Sequence, residues 1–180
     1  MMNEKFKEQV IIGILTATGI FAVFSNNANA STNKPEQAQS VTSTSKEVFL
    51  VSKEEKLKRF ENKATLTDLE LKELLSLVGF AGSNLVEAWA VAKKETNGTP
   101  TRVNPNAKTG DNSWGLFQIN MIGMLGPDRR DKFDLVTNSD LINPVINAQI
   151  AFHMSDGGND WSSWHGLTPK TKMWMSKFPK

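Results

Sequence analysis

The chain has 180 residues, 39% of them hydrophobic and 22% charged, which is enough for one self-supporting domain with a tail or leader. It has no Cys, which excludes disulfides, thiol nucleophiles and Cys-ligated zinc; its two His stand apart from any second ligand cluster, so no metal or other cofactor is expected. Lys and Arg number 21 against 19 Asp and Glu, and a net charge of +2 is too small for a chain built to neutralise phosphates, so nucleic acid is not an expected partner.

Residues 1–30 read as an export signal. An apolar run from Val10 to Phe24 is followed by Ala28 and Ala30 in the A-x-A pattern of a cleavage site, with the cut expected after Ala30. The run is short of the roughly 20 apolar residues of a membrane span and is interrupted by Gly13 and Gly19. Glu4 and Glu8 offset Lys5 and Lys7, so a retained membrane anchor is the alternative reading. Residues 31–46 are rich in Ser, Thr and Gln and predict a flexible linker. Residues 47–63 are charged, with Phe49, Leu50, Leu57 and Phe60 at loosely helical spacing, and predict a solvated accessory helix with one sticky face.

A mostly α-helical domain is expected over 64–180. Thr67 and Glu70 have the spacing of a capping box, and Leu71, Leu74, Leu75 and Val78 form one helical face that Gly79 ends. The next helix is predicted from Ser83 to Glu95, with Leu85, Ala88, Val91 and Ala92 on its apolar face and Glu95 continuing that face. Lys93 and Lys94 lie about 200° and 100° around the wheel from Glu95, so neither need neutralise it. A carboxyl in apolar surroundings at a helix C-terminus has its charged form opposed twice, by desolvation and by the helix dipole. That is the condition a general acid for glycoside cleavage requires. The stretch 97–112, dense in Gly, Pro and Asn, predicts a loop or short hairpin. A further helix is predicted to start at Asn143-Pro144 and run to Met154, before Gly157-Gly158. The Lys-rich C-terminus around Trp174 is expected to be solvated.

Three motifs occur in order: Lys94-Glu95-Thr96 at a helix end, then Ser113-Trp114-Gly115-Leu116-Phe117-Gln118-Ile119-Asn120, then Asn143-Pro144 through Asn147 and Ala151. Together they resemble the lysozyme-like superfamily, and most closely its soluble lytic transglycosylase domains of phage and secreted bacterial type. The resemblance implies a lysozyme-like fold with a short hairpin lining the cleft, and Glu95 as the catalytic acid. It assigns substrate binding to Ser113, Gly115, Gln118 and Asn120: Gln118 and Asn120 offer amides to N-acetyl and hydroxyl groups, and Gly115 lets backbone approach a glycan. Trp161 and Trp164 resemble the W-x-x-W tail of related phage domains. Trp164 is taken as a sugar-stacking wall, while core packing is expected for at least one of the pair.

The sequence departs from the family pattern in three places. Thr96 stands where a Ser is usual, there is no Tyr for the later helix, and Ser113 aligns with the nucleophilic Asp of animal lysozymes. Asp111, two residues away, needs a different loop path to take that role. A site with one carboxylate implies a lytic transglycosylase that breaks the MurNAc–GlcNAc β-1,4 bond and leaves 1,6-anhydroMurNAc ends. Hydrolysis of the same bond is the alternative, and an inactive wall-binding module a further one. The expected partner is the peptidoglycan glycan strand, met outside the cytoplasm at the cell wall by a secreted monomer whose N-terminal segment contacts the membrane in transit.

Overall fold

A computed structural model describes residues 53–180. The expected signal, the linker and the start of the accessory helix lie outside the described residues. Among the described residues of that segment, helix covers 53–58, after which the chain turns. Leu57 and Phe60 are buried in the main core. Leu57 and Phe60 thus pack the apolar face of this segment on the core, while Glu54, Glu55, Lys56 and Lys58 stay exposed.

Helix α1 (Asp68–Val78) carries the predicted capping box: Glu70 N–H donates to Thr67 Oγ1 at 3.2 Å and Thr67 N–H to Glu70 Oε2 at 2.9 Å. Its buried face is Leu71, Leu74, Leu75 and Val78, as the spacing predicts. Helix α2 (Gly82–Thr96) is buried over more than one face: Trp89 and Ala90 are as enclosed as Ala88, Val91 and Ala92. The second cover comes from helix α5 (Pro169–Met175), started by Pro169 after the Thr168 N-cap. Trp174 meets Trp89 edge-on at 6.2 Å, and Lys93 lies between them, 5.0 Å above the Trp174 ring and 2.8 Å from Asp68 Oδ1. The expected solvated terminus is thus a docked helix. Its Lys residues point outward while its aromatic face covers α2.

Between α2 and the later helices lies a three-stranded antiparallel sheet, β1 (Val103–Asn104), β2 (Ser113–Trp114) and β3 (Ile119–Asn120), in that spatial order. The register places Asn104, Ser113 and Asn120 opposite one another, so they share one face, with Val103, Trp114 and Ile119 on the other. Helix α3 (Leu125–Phe133) has no apolar periodicity and was not predicted; Phe133 anchors it in the core. Helix α4 (Pro144–Met154) begins at the predicted Asn143-Pro144, with Asn143 Oδ1 accepting from Val145 N–H at 2.9 Å. The fold is mostly helical, with a small sheet beside the end of α2. No described helix is long and apolar enough to cross a membrane.

Candidate active site

Glu95 sits in the last turn of α2 with its side chain 24% exposed. Its Oε1 lies 2.8 Å from Lys94 Nζ, whose side chain is only 11% exposed and also donates to the Trp164 carbonyl at 3.1 Å. This corrects the expectation that Lys94 leaves Glu95 alone. The helical wheel separates Cβ directions, but a four-carbon lysine stem spans that angle when its head is anchored by a carbonyl from elsewhere. Among the described residues, Glu95 Oε2 has no protein partner and remains available to a ligand.

Thr96, the residue after the acid, is buried. Its hydroxyl donates within the helix to Ala92 O at 3.3 Å and across to Leu116 O at 2.9 Å. One hydroxyl thereby ties the carboxylate-bearing helix end to the turn between β2 and β3. That turn is internally cross-braced. Gln118 Nε2 donates to Gly115 O at 2.9 Å and to Arg102 O at 3.1 Å, and Gly115 N–H shares the Arg102 carbonyl at 2.9 Å. Both amide hydrogens of Gln118 are thus spent on backbone, leaving Oε1 as its free acceptor among the described residues.

The residue that fixes this turn is Asn147, which is fully buried on the apolar face of α4. Its Oδ1 accepts from Phe117 N–H at 2.8 Å, while Nδ2 donates to Trp114 O at 3.0 Å and Leu141 O at 2.9 Å. The sequence signal for it was an amide among Val145, Ala148, Ile150 and Ala151, where an unsatisfied polar group is costly. Asn147 also accounts for Gly115. That residue has φ +75°, and a Cβ there would lie 2.0 Å from Leu141 O and 2.2 Å from Asn147 Nδ2. The glycine admits a protein amide, where approach to a glycan was expected.

Ser113 is buried on β2, and its hydroxyl donates to Asp111 Oδ1 in a close contact. Asp111 Oδ2 in turn accepts from Asn104 Nδ2. Asp111 N–H bonds back to Asn106 O at 3.0 Å, so the loop carries its carboxylate over the polar face of the sheet. Asn120 is committed to structure. Its Oδ1 takes Asn112 N–H at 3.1 Å and Ile122 N–H at 3.0 Å, and its Nδ2 reaches Gly110 O at 3.3 Å. Trp164 corrects the sugar-stacking assignment outright. It is 5% exposed, donates to Phe117 O at 2.7 Å, and packs edge-on against Phe117 and Trp161. Its ring belongs to the core, and only its backbone carbonyl, through Lys94, reaches the site.

Glu95 therefore adjoins the turn that bears Gln118, with Lys94, Thr96 and Asn147 holding helix end and turn in place, while the Ser113–Asp111 pair lies at the strand that leads into that turn. A carboxyl group with one oxygen held and the other open can exchange a proton with a bound ligand. A family model described as a lysozyme-like domain matches residues 72–166, from within α1 to just beyond Trp164. No curated protein and no solved structure matches the chain.

Proposed function

This chain belongs to the lysozyme-like domain family of peptidoglycan-acting glycosidases and transglycosylases, and we propose that it is a lytic transglycosylase using Glu95 as acid and then as base. The observation that carries this reading is the placement of Glu95: it stands in the last turn of α2 with Oε2 open, and Thr96 ties the adjoining backbone to the turn bearing Gln118. Protonated Glu95 gives its proton to the glycosidic oxygen between MurNAc and GlcNAc as the C1–O bond breaks. Positive charge develops at C1 and is shared with the ring oxygen and the substrate's own N-acetyl carbonyl. The carboxylate left on Glu95, with Lys94 beside it, then takes the proton of the C6 hydroxyl as that oxygen closes on C1. The products are a GlcNAc 4-hydroxyl end and a 1,6-anhydroMurNAc end, and no water is consumed. Gln118 Oε1 accepts from a sugar N–H or O–H and sets the register of the strand.

One observation favours hydrolysis as the second reading. Asp111, bonded to Ser113, puts a carboxylate beside the position where animal lysozymes carry their nucleophile. A second carboxylate placed to guide water would turn the same acid step into hydrolysis. Mass spectrometry of digested cell wall separates the two: anhydro ends support the transglycosylase, and reducing ends carry the hydrolase. A peptidoglycan-acting domain works outside the cytoplasm, and we assign its export to residues 1–30.

A further inference from the structure

Glu87 lies seven residues before Lys94 on α2, which places the two about 20° apart on the helical wheel and roughly 10 Å apart along the axis. Their side chains leave the same stripe of the helix, and each holds one end of the turn from Trp161 to Trp164. Glu87 Oε2 accepts from Trp161 Nε1–H at 3.1 Å, and Lys94 Nζ donates to Trp164 O at 3.1 Å. The two ends are also tied to each other, since Trp161 O accepts from Trp164 N–H at 2.9 Å. Among the described residues, the Trp161 indole is the one polar contact of the half-buried Glu87 carboxylate.

That contact supplies something the surrounding aromatic packing does not. The Trp161 ring is stacked nearly parallel to Phe80 and to Phe117, with centroids 6.1 and 6.4 Å away and interplanar angles of 17° and 12°. Stacking of this kind fixes the plane of an indole, but dispersion is weakly directional and resists sliding within the plane poorly. A hydrogen bond to Nε1 is directional and removes that freedom. The position of the ring bears on the site from two sides. Trp161 meets Trp164 edge-on at 5.4 Å, and the Trp164 carbonyl anchors Lys94 beside Glu95. It also stacks on Phe117, which belongs to the turn that carries Gln118.

We propose that Glu87 is a positioning residue for Glu95. Through Trp161 it fixes the Trp164 carbonyl, and that carbonyl fixes the Lys94 ammonium against the carboxylate. The inference rests on the reading of Glu95 as the acid. The test measures wall cleavage by the full chain over a range of wall concentrations, with a thermal melt beside each variant. Glu87→Leu and Glu87→Ala, which lack an acceptor, are each expected to lower kcat about fivefold, the worth of one hydrogen bond, with KM unchanged. Glu87→Gln keeps a carbonyl acceptor and is expected to recover most of that loss. Because the effect runs through Lys94, Glu87→Leu should cost nothing further in a chain already carrying Lys94→Met. Wild-type kcat in both acceptor-free variants, a rise in KM alone, or an undiminished loss in the Lys94→Met chain overturns the positioning role. Each of these results leaves the catalytic reading intact. Normal wall cleavage by Glu95→Gln is the separate result that overturns the catalytic reading itself.

Discussion

Lys94 and Glu95 are adjacent in the chain, yet their side chains close into an ion pair of 2.8 Å because Lys94 Nζ is also held by the Trp164 carbonyl. A segment seventy residues downstream thereby helps set the position of the proposed catalytic carboxylate. The Trp164 ring secures that carbonyl from inside the core, through its own bond to Phe117 O.

Glu95→Gln is expected to lower wall cleavage by about 10²–10⁴-fold, the range for loss of a general acid–base group. The melting temperature should barely move, since Glu95 is partly exposed and Lys94 keeps its carbonyl partner. Zymography beside a thermal melt checks both, and normal clearing by the variant would refute the assignment.

Lys94→Met should reduce kcat by roughly tenfold with little change in KM, because the carboxylate loses its tether while the sugar-binding groups stay in place. Lys94→Arg, which keeps a cation on a long stem, should recover part of that loss. A variant with wild-type kcat would show that the pair is incidental to turnover.

Asp111→Asn discriminates between the two reactions. Under the transglycosylase reading its product ends remain anhydro and its rate stays within a few-fold of wild type. Collapse of activity together with reducing ends in the wild-type digest would transfer the assignment to a two-carboxylate hydrolase.

Asn147→Ala removes three hydrogen bonds at once and strands Phe117 N–H and two carbonyls in the core. A loss of about 3 kcal/mol or more is expected, measured by denaturant unfolding. Gly115→Ala should cost about 2–4 kcal/mol through its positive φ and the overlap with Leu141 O. A loss below about 1 kcal/mol in both would contradict the bracing role given to this contact.

Glu70 makes stability depend on acid pH. The hydrogen bond from Lys63, then those from the Thr67 backbone and hydroxyl, hold its carboxyl at about 2 in place of 4.5. A carboxyl held below its unfolded value stabilises the fold fully above that unfolded value and loses the effect as pH falls towards the folded one. Melting temperatures measured from about pH 6 down to about pH 2 should fall more steeply for wild type than for Glu70→Gln across that window. Parallel slopes would remove Glu70 as a contributor.

Several features were legible in the amino-acid order because they depend on near neighbours. The Thr67–Glu70 box, the Leu71-to-Val78 face, the start of α4 at Asn143-Pro144 and the placing of Glu95 at a helix end are set by backbone geometry within a few residues. Other features depend on which distant segments meet, and no local pattern encodes that. A long lysine stem finds its carboxylate only when Trp164 O pins its head, and a Trp that could face a sugar instead turns its ring inward to Phe117. The docking of α5 on Trp89 and the grip of Asn147 on the turn around Gly115 likewise arise only on packing, where a buried polar group must find its partners across the fold.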